Sequence, residues 1–186
     1  MLTHRHIERL WNQEDHRKLF AALAVGRAEF PADVVAELAG RPLATAALAV
    51  IRLAELNQTR CAVFPQLVNF LLASRDIDHI WGDVMTSAMV IRALRVVVSS
   101  GPVVDESCRA LAALQKDDGS FPDQAVRRMN GDPLTTALVI ALLGDDRTFA
   151  DAISIDAALK WLARSAPSTL RNLVRVAGLR SHRLAA

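Results

Sequence analysis

The chain has 186 residues, of which 52% are hydrophobic, and its 22 lysine or arginine residues nearly balance 20 aspartate or glutamate residues. A formal net charge of only +2 excludes the strong overall charge that favours nucleic acid or a membrane surface as a partner. The length and apolar fraction indicate a single domain over 1–186 with a sizeable core. The absence of Tyr, with few Gly and Pro, favours helix over strand.

No segment has the pattern of a targeting signal or a membrane span. Residues 1–14 are polar and lack the apolar stretch of a secretory signal. The longest apolar run, 84–98, is interrupted by Arg92 and Arg95 and is too short to cross a bilayer. We therefore expect a cytoplasmic protein without a transmembrane segment. The two cysteines lack metal-ligand spacing, and we expect neither a metal nor a cofactor.

Three helical units are predicted in chain order. Each has an amphipathic outer helix, a polar loop that closes on an aromatic residue, and an inner helix that is almost wholly apolar. The outer helices are predicted at 13–25, 64–74 and 105–116, and the inner helices at 42–56, 83–99 and 132–143. Units one and three also carry short inserts of helical character at 32–38 and 123–129. Because a helix that is apolar all round is buried all round, we predict an all-α fold of stacked helical hairpins.

A seven-residue motif opens each inner helix. Its copies are Gly-Arg-Pro-Leu-Ala-Thr-Ala at 40–46, Gly-Asp-Val-Met-Thr-Ser-Ala at 82–88 and Gly-Asp-Pro-Leu-Thr-Thr-Ala at 131–137. A period of roughly 40 to 50 residues is typical of helical hairpins that bury their apolar faces only by stacking on one another.

Aspartates stand at the predicted start of two inner helices. Asp83 and Asp132 are favourable N-caps, because a carboxylate accepts a hydrogen bond from a free N–H of the first turn. Unit one has Arg41 in this place, which is unfavourable near the positive end of a helix dipole. N-capping is the simpler interpretation of the two aspartates. The alternative is that they ring a central cavity and bind a cation or a metal-bridged diphosphate.

A second polar group lies in the loop before the second inner helix. Asp76, Asp78 and His79 precede Trp81, and Asp83 closes the same stretch of eight residues. Carboxylates and an imidazole at this spacing are candidates for ligand binding or acid–base chemistry. A solvated turn is the alternative, and no catalytic residue or metal ligand is assigned to the stretch.

Two motifs carry a family resemblance. Segment 115–121, Gln-Lys-Asp-Asp-Gly-Ser-Phe, is similar to the Gln-x3-Gly-x-Trp repeat of squalene–hopene cyclases, with Phe in place of Trp. Segments 83–88 and 132–137 resemble the Asp-x-Asp-Asp-Thr-Ala segment with which class II cyclases protonate an alkene or an epoxide. The chain thus resembles the terpenoid cyclase and protein prenyltransferase superfamily over about 13–144. This resemblance implies an α/α-toroid fold and, for Gln115, a bond across helix ends.

The resemblance does not extend to the catalytic acid. The protonating Asp of the class II cyclases falls on Met85 in the second copy and on Leu134 in the third. Protonation of an alkene requires a carboxylic acid that is held neutral, and neither side chain supplies one. The chain also has fewer hairpins than a closed toroid of this superfamily. We therefore expect a partial toroid of about three repeats over 13–144, capped by a helix pair within 145–186, and we expect no cyclase activity.

The C-terminal region is locally basic. Helices are predicted at 154–165 and 167–178, and Arg164, Arg171 and Arg175 lie on this pair. The arginines either cover the open end of the repeat array or offer a surface to an acidic protein, a phosphate-bearing ligand or an anionic membrane.

Three functions are consistent with these features. The preferred one is a non-catalytic module that binds a protein partner or a second copy of itself, because the acid positions are lost and the repeat array is not closed. The second is the binding or processing of an isoprenoid-like apolar ligand in the concave face, because the inner helices are apolar. The third is docking to an anionic surface through the basic C-terminal helix. No motif for sequence-specific nucleic-acid binding is present.

Overall fold

The computed structural model describes residues 13–97 and 101–165, together with Leu170, Leu173 and Arg175. Over the two continuous ranges the chain forms helices and loops and no β-strand, as predicted. The helices are α1 (Gln13–Ala24), α2 (Ala32–Leu38), α3 (Pro42–Glu55), α4 (Val63–Ala73), α5 (Val84–Val97), α6 (Pro102–Ala112), α7 (Pro133–Leu143), α8 (Arg147–Ala150) and α9 (Ile155–Ser165).

The inner layer consists of α3, α5 and α7. Helix α5 lies between α3 and α7, while α1 and α4 pack against α3, α6 against α5, and α9 against α7. The described ends of the inner helices agree with the prediction to within a residue or two, the usual uncertainty of a helix end. This arrangement confirms the all-α architecture of helical hairpins.

The inner helices form the core because their residues are almost all apolar. Every residue of α7 from Thr135 to Leu143 is buried, and α5 is buried continuously from Val84 to Ile91. Each fully buried Leu, Ile or Val in these helices contributes about 1.5–3 kcal/mol of transfer free energy. The inner helices therefore pack against their neighbours as a solid layer.

The first and third units meet at one end of this layer. Helix α2 packs against α1 and also reaches α7. The side chains of Val34 and Leu38, on one face of α2, are fully buried. At this end the hairpins curl toward one another, which places the N-termini of the inner helices around a common centre.

The insert at 123–129 is not helical, contrary to the prediction. The backbone N–H of Val84 donates to the carbonyl of Asp123 at 3.2 Å, and the ammonium of Lys116 donates to the carbonyl of Met129 at 2.8 Å. Isolated antiparallel bridges join Asp83 to Gln124 and Pro122 to Gly131. These contacts, with unit two at the start of the insert and with Lys116 of its own unit at the end, fix both ends of the insert in an extended or turn conformation, so tertiary bonds override its helical propensity. The corresponding insert in unit one forms α2 as predicted.

Gln115 joins the end of α6 to the start of α9. Its amide nitrogen donates to the carbonyls of Gly119 at 3.1 Å and Ser154 at 3.0 Å, and its amide oxygen accepts from the N–H of Ser154 at 2.8 Å. Beside it Phe121 is fully buried and stacks on Phe149, with ring centroids 6.1 Å apart. The glutamine motif is thus a structural clasp between two helix ends.

The predicted helix at 154–165 is present as α9, and the hydroxyl of Ser154 accepts from the N–H of Ala157 at 3.3 Å. The helix predicted at 167–178 lies outside the continuously described residues. Of all helices that the structure describes, none combines the length and the apolar character needed to cross a membrane.

Candidate functional site

The side-chain hydroxyl of the sixth residue in each motif copy bonds to the backbone of the residue at the N-cap position. The hydroxyls of Thr45, Ser87 and Thr136 donate to the backbone carbonyl four residues earlier, at 3.0, 2.7 and 2.8 Å. All three side chains are buried, where an unmade hydrogen bond is costly. The Ser or Thr at this position is therefore explained by the fold.

In units two and three the same hydroxyl also holds the closing aromatic residue. Ser87 accepts from the N–H of Trp81 at 2.9 Å, and Thr136 accepts from the N–H of Phe121 at 2.8 Å. The Trp81 indole is 1% exposed and donates to the carbonyl of Leu71 at 2.7 Å. Trp81 is thus an internal anchor whose polar atom already has a partner.

The two aspartates are N-caps, as predicted. A carboxylate oxygen of Asp132 accepts from the N–H of Thr135 at 2.6 Å. One oxygen of Asp83 accepts from the N–H of Thr86 at 3.0 Å, and the other accepts from the Thr86 hydroxyl at 2.7 Å. Caps of this type stabilise a helix by about 1 kcal/mol.

Arg41 replaces the cap in unit one and makes no capping bond. Its guanidinium instead contacts Asp83 at 2.8 Å and also pairs with Glu37. The two carboxylates offset the unfavourable position of a cation near a helix N-terminus. The departure of unit one from the motif therefore links the starts of α3 and α5.

The motif glycines meet two different requirements. Gly82 has φ +69°, and a Cβ there would meet nothing within 4 Å, so only the left-handed backbone favours glycine. Gly131 lacks that conformation, but a Cβ there would overlap the hydroxyl of Ser120. The first motif position therefore favours glycine for two reasons: a left-handed backbone in unit two and the close approach of the Ser120 side chain in unit three.

The N-termini of α5 and α7, with the end of α2, enclose a cavity of about 150 Å³. Its charged lining consists of Glu37, Arg41, Asp83, Asp123 and Asp132. Four carboxylates face one guanidinium, so the formal charge of the lining is negative. The structure therefore brings Asp83 and Asp132 together at one cavity, and the charge of that cavity suits a cation better than an anion.

The apolar part of the cavity lining is made by Met85 and Leu134. These are the two positions at which the resemblance places a catalytic acid. Met85 is 3% exposed, and neither side chain carries an exchangeable proton. The lining is therefore apolar at both positions and carries no acid there.

Thr135, the fifth residue of the third copy, also lines the cavity. It is fully buried, and its hydroxyl has no hydrogen-bond partner. The equivalent Thr86 donates to Asp83, so the two copies differ at this atom. An unpaired buried hydroxyl costs about 1–3 kcal/mol, which marks Thr135 as the unexplained polar group of the cavity.

The loop residues Asp76, Asp78 and His79 do not line this cavity. Asp76 accepts from the N–H groups of Ile80 at 3.0 Å and Gly82 at 3.4 Å and so closes its own turn. Asp78 and His79 are exposed, and His79 has φ +67°. Their ligand-binding role stays a prediction, and the geometry is that of a solvated turn.

Sequence reasoning missed three charged members of the cavity: Glu37, Arg41 and Asp123. Glu37 and Arg41 lie four residues apart, a spacing at which opposite charges pair, and Arg41 breaks the motif at its cap position. The spacing and the break in the motif could therefore have indicated Glu37 and Arg41 as an ion pair at the start of α3. Asp123 reaches the cavity only through the extended insert, which no local pattern indicates.

The predicted basic surface is described in part. Arg164, in the last turn of α9, and Arg175 are exposed. Arg171 lies outside the described residues.

A buried charged cluster, also not anticipated from the sequence, joins α5, α6 and the start of α8. Arg95 pairs with Asp105 and with Asp146, each at 2.6 Å. Burial and the nearby Asp146 carboxylate raise the pKa of the Cys108 thiol to about 11. The cluster ties an inner helix to two outer elements, and Cys108 is a buried, protonated thiol rather than a nucleophile.

Among the residues that the structure describes, no three His, Cys, Asp or Glu side chains are arranged to hold a metal ion. Comparisons of the chain with protein-family models, with curated proteins and with solved structures gave no match.

Proposed function

We propose that this chain is a non-catalytic helical-repeat module, similar in design to the cyclases and prenyltransferases, and that it binds protein, first of all a second copy of itself. The observation that carries this proposal is an apolar groove at the described edge of the first unit. The solid inner layer supports it as well, because contact with a partner must then occur on the outer surface.

The groove is a shallow, open depression between the end of α1 and the start of α2, with a volume of about 530 Å³ and with Arg27 among its lining residues. Its lining is mainly apolar and small, and includes Ala21, Ala24, Val25, Gly26, Phe30 and Val35. The side chain of Val25 is 71% exposed. An exposed apolar groove is a frequent feature of interaction surfaces.

The way in which repeat units stack favours a second copy of the chain as the partner that covers the groove. A hairpin array buries each unit on its neighbours, so an exposed apolar edge of a unit is a face on which another unit can pack. The first unit presents apolar and small residues at this edge. A second copy carries the same groove, so a two-fold axis through it would cover both edges at once.

Sedimentation velocity over a range of concentrations tests this proposal. We expect a reversible dimer, and we expect Val25→Glu to shift the equilibrium to monomer because it places a charge in an apolar contact. Ile77→Glu is the matched control, because Ile77 is 91% exposed and does not line the groove. A wild-type protein that stays monomeric at all concentrations would overturn the proposal.

The isoprenoid alternative has less support from the geometry. Ligand pockets for drug-sized molecules have volumes of about 300–1,000 Å³ and mostly apolar walls. The cavity at the inner-helix ends has a volume of about 150 Å³ and a charged rim. If such a lipid does bind, Met85→Asp should weaken its retention, since Met85 supplies apolar lining.

The anionic-surface alternative is favoured by the exposure of Arg164 and Arg175. It predicts that Arg171→Glu combined with Arg175→Glu abolishes binding to acidic vesicles. Unchanged binding, or no binding by the unaltered protein, would reject it.

A further inference from the structure

We propose that the cavity at the inner-helix N-termini is a binding site for a primary ammonium group on a short carbon chain. This site is independent of the apolar groove proposed above. The observation that points to a ligand is Thr135, which lines the cavity and whose fully buried hydroxyl has no hydrogen-bond partner.

The charge of the lining selects a cation. Carboxylates of Glu37, Asp83, Asp123 and Asp132 line the cavity with the single guanidinium of Arg41. That guanidinium is already paired with Asp83 and Glu37, which leaves Asp123 and Asp132 without a cationic partner in the cavity. An anion would meet an excess of like charge there.

The polar atoms select a hydrogen-bond donor. An ammonium has three donors and no acceptor, whereas a hydroxyl and a carboxylate have lone pairs to offer. The ammonium can donate to the Thr135 hydroxyl and to carboxylates that line the same cavity. A metal ion fits less well, because no three His, Cys, Asp or Glu side chains of the described residues are arranged to hold one.

The size and the apolar lining select a short chain. A cavity of about 150 Å³ compares with roughly 30 Å³ for one water molecule, so it admits an amine of a few carbon atoms. Met85 and Leu134 line the same cavity and would contact the methylene groups. Such a group could come from a free alkylamine or from a lysine side chain of another protein.

The test is an NMR titration of the full chain at neutral pH with butylammonium, with N-acetyl-lysine amide, and with butanol as an uncharged probe of the same shape. We expect saturable shifts at the starts of α5 and α7 with butylammonium and not with butanol. Shifts with the lysine derivative as well would identify a protein side chain as a source. Shifts with butylammonium alone would identify a free amine.

Two variants separate binding from folding. Thr135→Val replaces the unpaired hydroxyl by a methyl group of similar size, and we expect it to weaken butylammonium binding about tenfold without lowering the midpoint of urea unfolding. Asp123→Asn should weaken binding, whereas Asp78→Asn, which removes the same charge from an exposed loop, should not.

Three outcomes would overturn the proposal: no saturable shift at amine concentrations in the tens of millimolar, equal binding of butanol and butylammonium, or unchanged affinity in Thr135→Val.

Discussion

At the scale of single residues, two adjacent threonines of α7 have opposite roles. Thr135 and Thr136 are both fully buried. Thr136 donates to the carbonyl of Asp132 and accepts from the N–H of Phe121, whereas the hydroxyl of Thr135 has no partner. Burial alone therefore does not reveal which hydroxyl supports the fold.

This difference predicts opposite effects of the same substitution. Thr136→Val should lower the free energy of unfolding by about 1–3 kcal/mol, because it leaves the buried N–H of Phe121 unpaired. Thr135→Val should leave it unchanged or raise it. Urea unfolding measures the free energy of unfolding of each variant. Equal losses in the two variants would contradict the opposite roles of the two hydroxyls.

The two cysteines should differ in reactivity. Cys108 is fully buried, with a thiol pKa raised to about 11, while Cys61 is partly exposed. Because the thiolate is the reactive form, iodoacetamide at pH 8 should alkylate Cys61 first and Cys108 only on unfolding. Peptide mass mapping measures the order in which the two cysteines are alkylated. Rapid labelling of Cys108 in the folded protein would contradict the buried position of its thiol.

The raised pKa of Cys108 also predicts a loss of stability at high pH. The thiol of the unfolded chain ionises near its ordinary value of 9.0, and that of the folded chain near 11. Between these values the unfolded state binds fewer protons, so stability falls as pH rises, by about 2–3 kcal/mol in all. The contribution is complete below pH 9. In Cys108→Ala this part of the pH dependence should vanish from urea unfolding curves, and its persistence would assign the slope to another group.

At the scale of elements, local signals predicted the helices, and tertiary bonds decided the loops. The N-caps Asp83 and Asp132 are local features, so the sequence alone was sufficient to place the starts of α5 and α7. The segment 123–129 was predicted as helical and is not, because its carbonyls bond to Val84 of unit two and to the side chain of Lys116, both outside the segment. Those partners are distant in sequence, and no local pattern encodes them.

The clasp formed by Gln115 is a prediction at this scale. Gln115→Ala removes its three bonds to Gly119 and Ser154 and should lower the free energy of unfolding by about 1 kcal/mol or more. Amide hydrogen exchange should accelerate at the start of α9. Asp117→Ala is a suitable control, since the Asp117 side chain is fully exposed and a surface ion pair such as the one it makes with Arg127 contributes little. Unchanged exchange in α9 would show that the glutamine does not hold this junction.

At the scale of the whole molecule, repeat period and apolar character were sufficient to predict an inner layer of three buried helices. They could not predict that α2 reaches α7, because that contact joins the first unit to the third. This contact brings Glu37 to the same cavity as Asp132. The charge of the candidate site is therefore a property of the curled assembly, although Asp83 and Asp132 themselves were predicted.

The solid inner layer has a functional consequence for the molecule. The apolar residues of α3, α5 and α7 pack against one another, whereas in an open toroid they would line a substrate chamber. The exposed apolar groove near Val25 lies outside that layer. The proposed protein contact therefore lies at the outer edge of the array, and the cavity at the inner-helix N-termini is left to the small ammonium ligand proposed above.

Native mass spectrometry of protein purified gently from cells distinguishes self-association from lipid binding, because one spectrum reports both the assembly state and any retained lipid. We expect a species of twice the 20.3 kDa chain mass, with no added mass of an apolar ligand. A monomer that carries the additional mass of an isoprenoid-like lipid would contradict this expectation.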